Sequence, residues 1–303
     1  MKPVIKYQGG KSKELPLIKQ MLPQQFNRVV EPFCGGAAVS FELQTPALLS
    51  DINSMVINLY KVLQSDDYLQ VLNHIKKVGT YEHDALQKEY YTARDVINNQ
   101  HNHSPITLAI SYIIVRQLCF SGMERYNTNG DFNVPFGHYK RLSCNLSPDH
   151  HMFLKKCDVR LSSFVDVFKD VTSNDFVFID PPYLDRLGYT QGDGGDSLHE
   201  ELAQCLKSTD AKWMIIHSDH TFYRESYKDF NIMDKDFAYA QRFGKEKKDN
   251  KIVGETLNIF DLVGEHDDTK IEAPLEKDHS GAKVGHLYIA NYEPIDSFDT
   301  KVL

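Results

Sequence analysis

The chain is predicted to be an α/β protein with a doubly wound sheet interrupted by a mostly helical insertion, and three observations predict it. Short apolar runs of strand length recur near residues 29, 47, 176 and 213. Strand and helix patterns alternate from 28 to 64, which implies parallel βαβ winding. From about 64 to 118 the periodicity is helical throughout, so a block of helices breaks the sheet. At 303 residues the chain can bury a substantial core in one main domain with an insertion.

Taken in order, Lys6-Tyr7-Gln8-Gly9-Gly10-Lys11 precedes a helical pattern with Leu15, Ile18 and Leu22 on one face. Gly-Gly-Lys invites a phosphate-loop reading, but the paired-glycine spacing is absent, although Lys11-Ser12 imitates its close. Lys11 can instead pair with the carboxylate of an amino-acid-bearing cofactor, with Tyr7 beside its adenine or sulfonium. Val29-Val30-Glu31 then reads as a strand that enters the turn Pro32-Phe33-Cys34-Gly35-Gly36 and a helix. Glycines there let the backbone approach a ligand closely, though the full dinucleotide fingerprint is missing. A second strand, Ala47-Leu48-Leu49-Ser50-Asp51, ends in an acid where ribose hydroxyls are typically bound. Either piece alone fits an ordinary strand–turn–helix; both in order point to a nucleoside cofactor.

Helical patterns follow at 84–99 and 105–118, then a loop or hairpin at 119–141 rich in Gly, Asn and aromatics. Strand signals return at 176–180, 213–217 and 257–262, with a helical segment at 198–207. The glycine-rich stretch 191–196 suits either a lid or a plain surface loop. From Gly264 onward nine acids and four lysines suggest a flexible connection, in which His286-Leu287-Tyr288-Ile289-Ala290 is able to add one strand.

The most informative residues are Asp180-Pro181-Pro182-Tyr183, at the end of the apolar run 176–179. An exocyclic base amine is a poor nucleophile because its lone pair is delocalised into the ring. The Asp180 carboxylate and the Pro181 carbonyl can each accept one N–H and localise that lone pair toward an electrophile. Prolines fix φ and remove backbone donors, so the turn presents acceptors. Tyr183 offers a face for a base to stack on. A strand-end carboxylate is expected to contribute little to packing.

These three motifs resemble the Dam-type DNA adenine-N6 methyltransferases, the D12 class or alpha group. Members carry Lys-aromatic-x-Gly-Gly-Lys, then Glu-Pro-Phe-x-Gly, then Asp-Pro-Pro-Tyr. Gly122-Met123-Glu124-Arg125-Tyr126-Asn127 and Gly130-Asp131-Phe132-Asn133-Val134-Pro135-Phe136-Gly137 look like the family's DNA-reading segment. The resemblance covers roughly residues 4 to 263. It implies a Rossmann-like methyltransferase sheet and S-adenosylmethionine as methyl donor, with no metal needed. Tyr7, Gly10, Lys11, Glu31, Pro32, Phe33, Gly35, Asp51 and Asp180 are then the expected cofactor residues, and Asp180, Pro181, Pro182 and Tyr183 the catalytic ones. Lys6, Phe120, Met123, Arg125, Asn127 and Pro135 are expected at the DNA. The expected division is a catalytic domain of 1–63 with 154–263, a target-recognition insertion of 64–153, and an acidic extension of 264–303 with no assigned role.

Composition bounds this reading. Hydrophobic content of 41% and charged content of 25% suit a soluble globular chain. The sequence lacks an apolar run of membrane-spanning length and an apolar segment after Met1-Lys2-Pro3-Val4 that would suit a signal peptide. Five cysteines, odd in number and without a Cys-x-x-Cys pair, suggest reduced thiols in a cytoplasm. The histidines, including His217 and His220 at a strand end, are read as structural or exposed.

The net charge of −8 is the wrong sign for a phosphate-binding protein. However, residues 1–28, 116–141 and 241–251 carry net +5, +2 and +3, leaving −18 elsewhere. A local basic face can therefore steer duplex DNA. RNA or single-stranded DNA remains the alternative acceptor, a catalytically silent DNA-binding module the rival reading, and cytosine-N4 chemistry a weaker third. A monomer or weak dimer, with a cognate restriction enzyme as a candidate partner, completes the expectations.

Overall fold

The computed structural model describes residues 1–184, 195–239 and 282–294. The chain divides into two compact units, Met1–Lys235 with Gly285–Leu303, and Asp236–Val284. The site lies in the first.

Its N-terminal part runs α1 (Leu15–Gln20), β1 (Arg28–Glu31), α2 (Ala38–Leu43), β2 (Ala47–Asp51) and α3 (Ser54–Gln64). Four helices follow: α4 (Tyr68–Val78), α5 (His83–Asn98), α6 (Pro105–Leu118) and α7 (Pro148–Leu154). The chain then returns through β3 (Asp158–Leu161), α8 (Phe164–Phe168), β4 (Asp175–Ile179), α9 (Gly195–Ser208), β5 (Lys212–Ser218) and α10 (Thr221–Ser226). Two strands, β6 (Asn231–Tyr239) and β7 (Ala282–Ala290), complete the described elements.

Among the described residues the sheet has seven strands in the order β3-β2-β1-β4-β5-β7-β6. The five from β3 to β5 are parallel, and β7 is antiparallel to β5. This is a Rossmann-like sheet, with the parallel winding that the alternating pattern predicts. The chain winds outward from β1 to β3, then crosses back to place β4 on the other side of β1. That reversal is a switch point, where the C-terminal ends of adjacent strands leave a crevice for ligands. Glu31 ends β1, and Asp180 directly follows β4.

Burial explains the central strands. Every residue of β4 is buried, as expected where helices cover both faces of a parallel sheet. Trp213, Ile215, Val30 and Val177 share one core cluster with Leu202, Leu206 and Tyr223 of the flanking helices. The Asn53 side chain caps α3 by accepting from the Met55 and Val56 amides. Ser104 caps α6, with Pro105 in its first turn. A continuous run from Ser111 to Leu118 is buried on α6, as befits a helix packed between α3 and α5. Residues 64–153, expected as an insertion, thus sit within the same compact unit as the sheet.

Some elements differ from expectation. α1 stops before Leu22 because the next residues, Pro23 onward, leave the helix. The edge strand β3 carries no sequence signal, since the charged Asp158 and Arg160 interrupt its only apolar residues, Val159 and Leu161. The anticipated strand 257–262, the glycine-rich residues 191–194 and the basic residues 241–251 lie outside the described residues. The strand suggested at 286–290 belongs to β7 and pairs with β5, inside the sheet. Among the described residues no helix is long and apolar enough to cross a membrane.

Candidate active site

The loop Tyr7–Lys11 lies over the glycine turn. The turn is tight: Cys34 N–H donates to the Ser50 carbonyl at 2.9 Å, and Gly35 has φ of 41°. A Cβ on Gly35 would stand 2.6 Å from Cε1 of Tyr7, so the ring of Tyr7 occupies the space a side chain would need. Tyr60 donates its hydroxyl to the Gly35 carbonyl at 2.7 Å. Gly10 closes the Lys11 loop by donating its N–H to the Tyr7 carbonyl at 3.1 Å.

Asp51 faces this turn from the end of β2. Its Oδ2 accepts the Gly35 amide and its Oδ1 the Asn53 amide, both at 2.9 Å. Burial raises its pKa, against the lowering effect of those two amides. Each oxygen keeps acceptor capacity, the chemistry that holds a ribose diol. Ile52, 78% exposed beside it, supplies an apolar face that sequence reasoning missed. Pro32 is buried, and Phe33 stacks on Phe164 at 5.4 Å.

Glu31 behaves differently from an open cofactor ligand. It is buried, and Oε1 accepts the Ser40 amide at 2.8 Å. Burial lifts its pKa from 4.5 to about 7, despite hydrogen bonding from Ser40. The folded protein therefore holds a proton that the unfolded chain releases near 4.5. Its stabilising contribution is full below that pH and is lost as pH rises through about 7. Glu31→Gln keeps the acceptor for Ser40 and stays neutral. It should match wild type in urea unfolding at acid pH and exceed it by up to about 3 kcal/mol near pH 8. A stability difference that does not grow with pH would remove the neutral-carboxyl assignment.

At the end of β4, Lys11 meets Asp180. Its Nζ is 2.6 Å from Asp180 Oδ1 and donates to the Gly9 carbonyl at 2.8 Å. Lys11 is 3% exposed and Asp180 22%. The ammonium thus pairs with the Asp180 carboxylate, a contact that sequence reasoning did not anticipate. Burial raises the Asp180 pKa, and Lys11 opposes that shift. The Tyr183 ring lies under the same ammonium, 5.3 Å from its centroid. Pro181 is buried, and Pro182 is exposed.

The DNA-facing candidates gather on a hairpin. Phe120 N–H donates to the Pro135 carbonyl, Asn133 N–H to Arg125, and Asn127 N–H to Asp131. Tyr90 and Asn98 of α5 hold its second arm through the Val134 and Phe132 carbonyls. Phe120 is 44% exposed, whereas Met123, Arg125 and Pro135 are half-buried. Asn127, expected at the DNA, uses its side chain to close the hairpin tip, accepting from Asn129 and Asp131 and donating to Asp131. Lys6, also expected there, donates to the Gln117 carbonyl at 2.7 Å and lies over the Tyr139 ring. Arg125 bonds Asn133 through Nε at 2.7 Å and Nη2 at 3.2 Å.

Arg116 links the two regions, and sequence reasoning missed it. Its buried guanidinium donates to the carbonyls of Lys6, Met123 and Gly122 and pairs with Glu124 at 3.1 Å. It also lies 5.4 Å from the centroid of Tyr7. The available signal was a single charge ending the apolar run Ile113-Ile114-Val115 on a core helix. Among the described residues no group of three or more His, Cys, Asp or Glu is placed to hold a metal ion.

Residues 7–241 match the family model of the D12 class N6 adenine-specific DNA methyltransferases. The chain is similar to Type II methyltransferase M.CviBI of Paramecium bursaria Chlorella virus NC1A, with 30% identity over 274 residues, 87% of this chain and 98% of that protein. It is similar also to Type II methyltransferase M.MjaIII of Methanocaldococcus jannaschii, 30% identical over 260 residues, covering 77% and 90% of the two chains. The DNA adenine methylase of Haemophilus influenzae is 28% identical over 249 residues, 75% of this chain and 82% of its own.

Proposed function

The chain belongs to the D12 class N6 adenine-specific DNA methyltransferases, and we propose that it methylates the N6 amino group of an adenine rotated out of duplex DNA, using S-adenosylmethionine. The observation that carries this reading is the Asp180 carboxylate, held by Lys11 at the switch point beside the Gly35–Asp51 turn. S-adenosylmethionine, when bound, supplies a methyl group on a sulfonium.

Asp51, Ile52, Gly35 and Tyr7 fit the nucleoside half of that molecule: two carboxylate acceptors, an apolar face, and a turn whose shape a Cβ would spoil. Tyr183 stacks on the extruded base, whose unstacking is the energetic cost of reaching it. Asp180 and the Pro181 carbonyl each accept one N–H of the amine, orienting its lone pair toward the methyl group. Lys11 balances the Asp180 charge, so the carboxylate acts as a fixed acceptor and takes a proton only as the nitrogen becomes positive. Orientation and preorganised acceptors supply most of the rate enhancement.

Residues 64–153 form the recognition region in this proposal, and Arg116 couples their hairpin to the Tyr7–Lys11 loop. The two bonds to Asn133 use the Nε side of Arg125 and leave the Nη1 and outer Nη2 hydrogens as a braced fork. We assign that fork to guanine O6 and N7. Arg125→Ala should then weaken binding to the cognate site by about 1–3 kcal/mol and relax preference at one base pair. Equal weakening across a panel of substituted sites would make Arg125 a phosphate clamp.

The reaction itself is tested with purified protein, radiolabelled S-adenosylmethionine and unmethylated genomic DNA, followed by sequencing for N6-methyladenine. Methylation confined to one short duplex sequence is expected. Preferential labelling of RNA or single strands would overturn the duplex assignment. A monomer acting in the cytoplasm suffices for this chemistry, and the Type II names of relatives support a cognate restriction enzyme as its counterpart.

A further inference from the structure

Tyr183 is flanked by two histidines. The ring of His217 lies 4.6 Å away at 41°, and that of His286 meets it edge-on at 5.6 Å and 86°. They come from paired strands: His217 on β5 sits opposite Leu287 on β7, next to His286. Both are buried. A polar ring in such a place is costly unless its nitrogens are bonded, and an apolar ring would fill the volume as well.

The bonds they make point at the catalytic turn. Nε2 of His217 accepts the Leu184 amide at 3.1 Å, while Nδ1 donates to the Ser218 carbonyl at 3.0 Å. The accepted N–H is the one directly after Tyr183, in a segment where Pro181 and Pro182 supply no donors. Tyr223 stacks on His217 at 3.9 Å and bonds His199 through its hydroxyl. Nδ1 of His286 lies 3.1 Å from Oε2 of the buried Glu14, an oxygen that Tyr288 also donates to. Glu14 immediately precedes α1, so β7 is tied to the segment that carries Lys11.

We propose that His217 and His286 are positioning residues, a two-sided clamp that fixes Tyr183 and the Leu184 backbone so that the Asp180 turn receives the adenine in reactive geometry. The inference rests on the role given above to Tyr183. It makes the last strand, which sequence analysis left without a role, part of the acceptor site.

The test uses the full chain as wild type, His217→Phe, His217→Gln and His286→Phe. Each is measured for kcat and KM on unmethylated genomic DNA, for S-adenosylmethionine Kd by calorimetry, and for Tm. His217→Phe keeps a ring but loses the acceptor, so kcat should fall roughly 10- to 100-fold while cofactor Kd stays within about twofold. His217→Gln, whose amide oxygen can accept from Leu184, should recover much of that loss. His286→Phe, deprived of Glu14, should also lower kcat. Should His217→Phe fail to fold, His286→Phe is judged by the same criteria. Phe variants that bind cofactor and retain wild-type kcat, with only Tm lowered, would reduce the histidines to core packing and overturn the clamp. Wild type inactive on every DNA tested would instead reject the proposed function, and the clamp with it.

Discussion

Asp180→Ala is expected to lower kcat for methyl transfer by about 10²–10³, the loss typical of removing one preorganised polar group at a reacting centre. The Pro181 carbonyl alone cannot orient both N–H bonds of the amine. A variant retaining more than about a tenth of wild-type rate is incompatible with the assignment. The structure adds a consequence for stability. Lys11 is 3% exposed, and Asp180 is its ion-pair partner at 2.6 Å. Removing the carboxylate strands a buried cation, so Tm should fall even though a strand-end carboxylate contributes little to packing. The loss should stay below the ~3–5 kcal/mol of a fully buried pair, because Asp180 is partly exposed. Asp180→Ala combined with Lys11→Met should recover Tm without recovering activity. That combination separates chemistry from folding in one protein.

Asp51→Ala should weaken S-adenosylmethionine binding by about 1.5–3 kcal/mol, as hydrogen bonds to a charged carboxylate are lost. DNA affinity measured without cofactor should barely change, since Asp51 faces the glycine turn and not the hairpin. Asp51→Asn keeps one carbonyl oxygen and should fall between the two. The acid's raised pKa sets a sign for pH: affinity should decline on acidification, because the charged form is the one that accepts ribose hydroxyls. Calorimetry across pH reads both effects. An unchanged Kd in Asp51→Ala would place the ribose elsewhere and break the link between β2 and the cofactor.

Much of the candidate site's local geometry could be read from sequence because its motifs are turns, and turns declare themselves in a few residues. Gly35 is required where φ is positive and Tyr7 closes in. Asp180-Pro181-Pro182-Tyr183 marks a strand end by its prolines. The periodicity of 28–64 likewise implied parallel strands and their switch point. Partnerships between distant residues are another matter. Lys11 and Asp180 are far apart in sequence, and nothing local chooses between a carboxylate of the protein and one of a ligand. The chain's own winding brings β4 beside β1, and Asp180 within 2.6 Å of Lys11.

The same reason explains Arg116, His217 and His286. Each looked like an isolated polar residue in an apolar or acidic stretch, and its meaning depended on what packs against it. By itself, then, the sequence determined the fold class, the order of the motifs and the chemistry each can perform, because helix period, strand length and turn residues are local properties. Only the tertiary structure decided which charges pair, that β7 completes the sheet against β5, and that two histidines enclose Tyr183. Burial and hydrogen-bond partners are set by long-range packing, which no window of sequence contains.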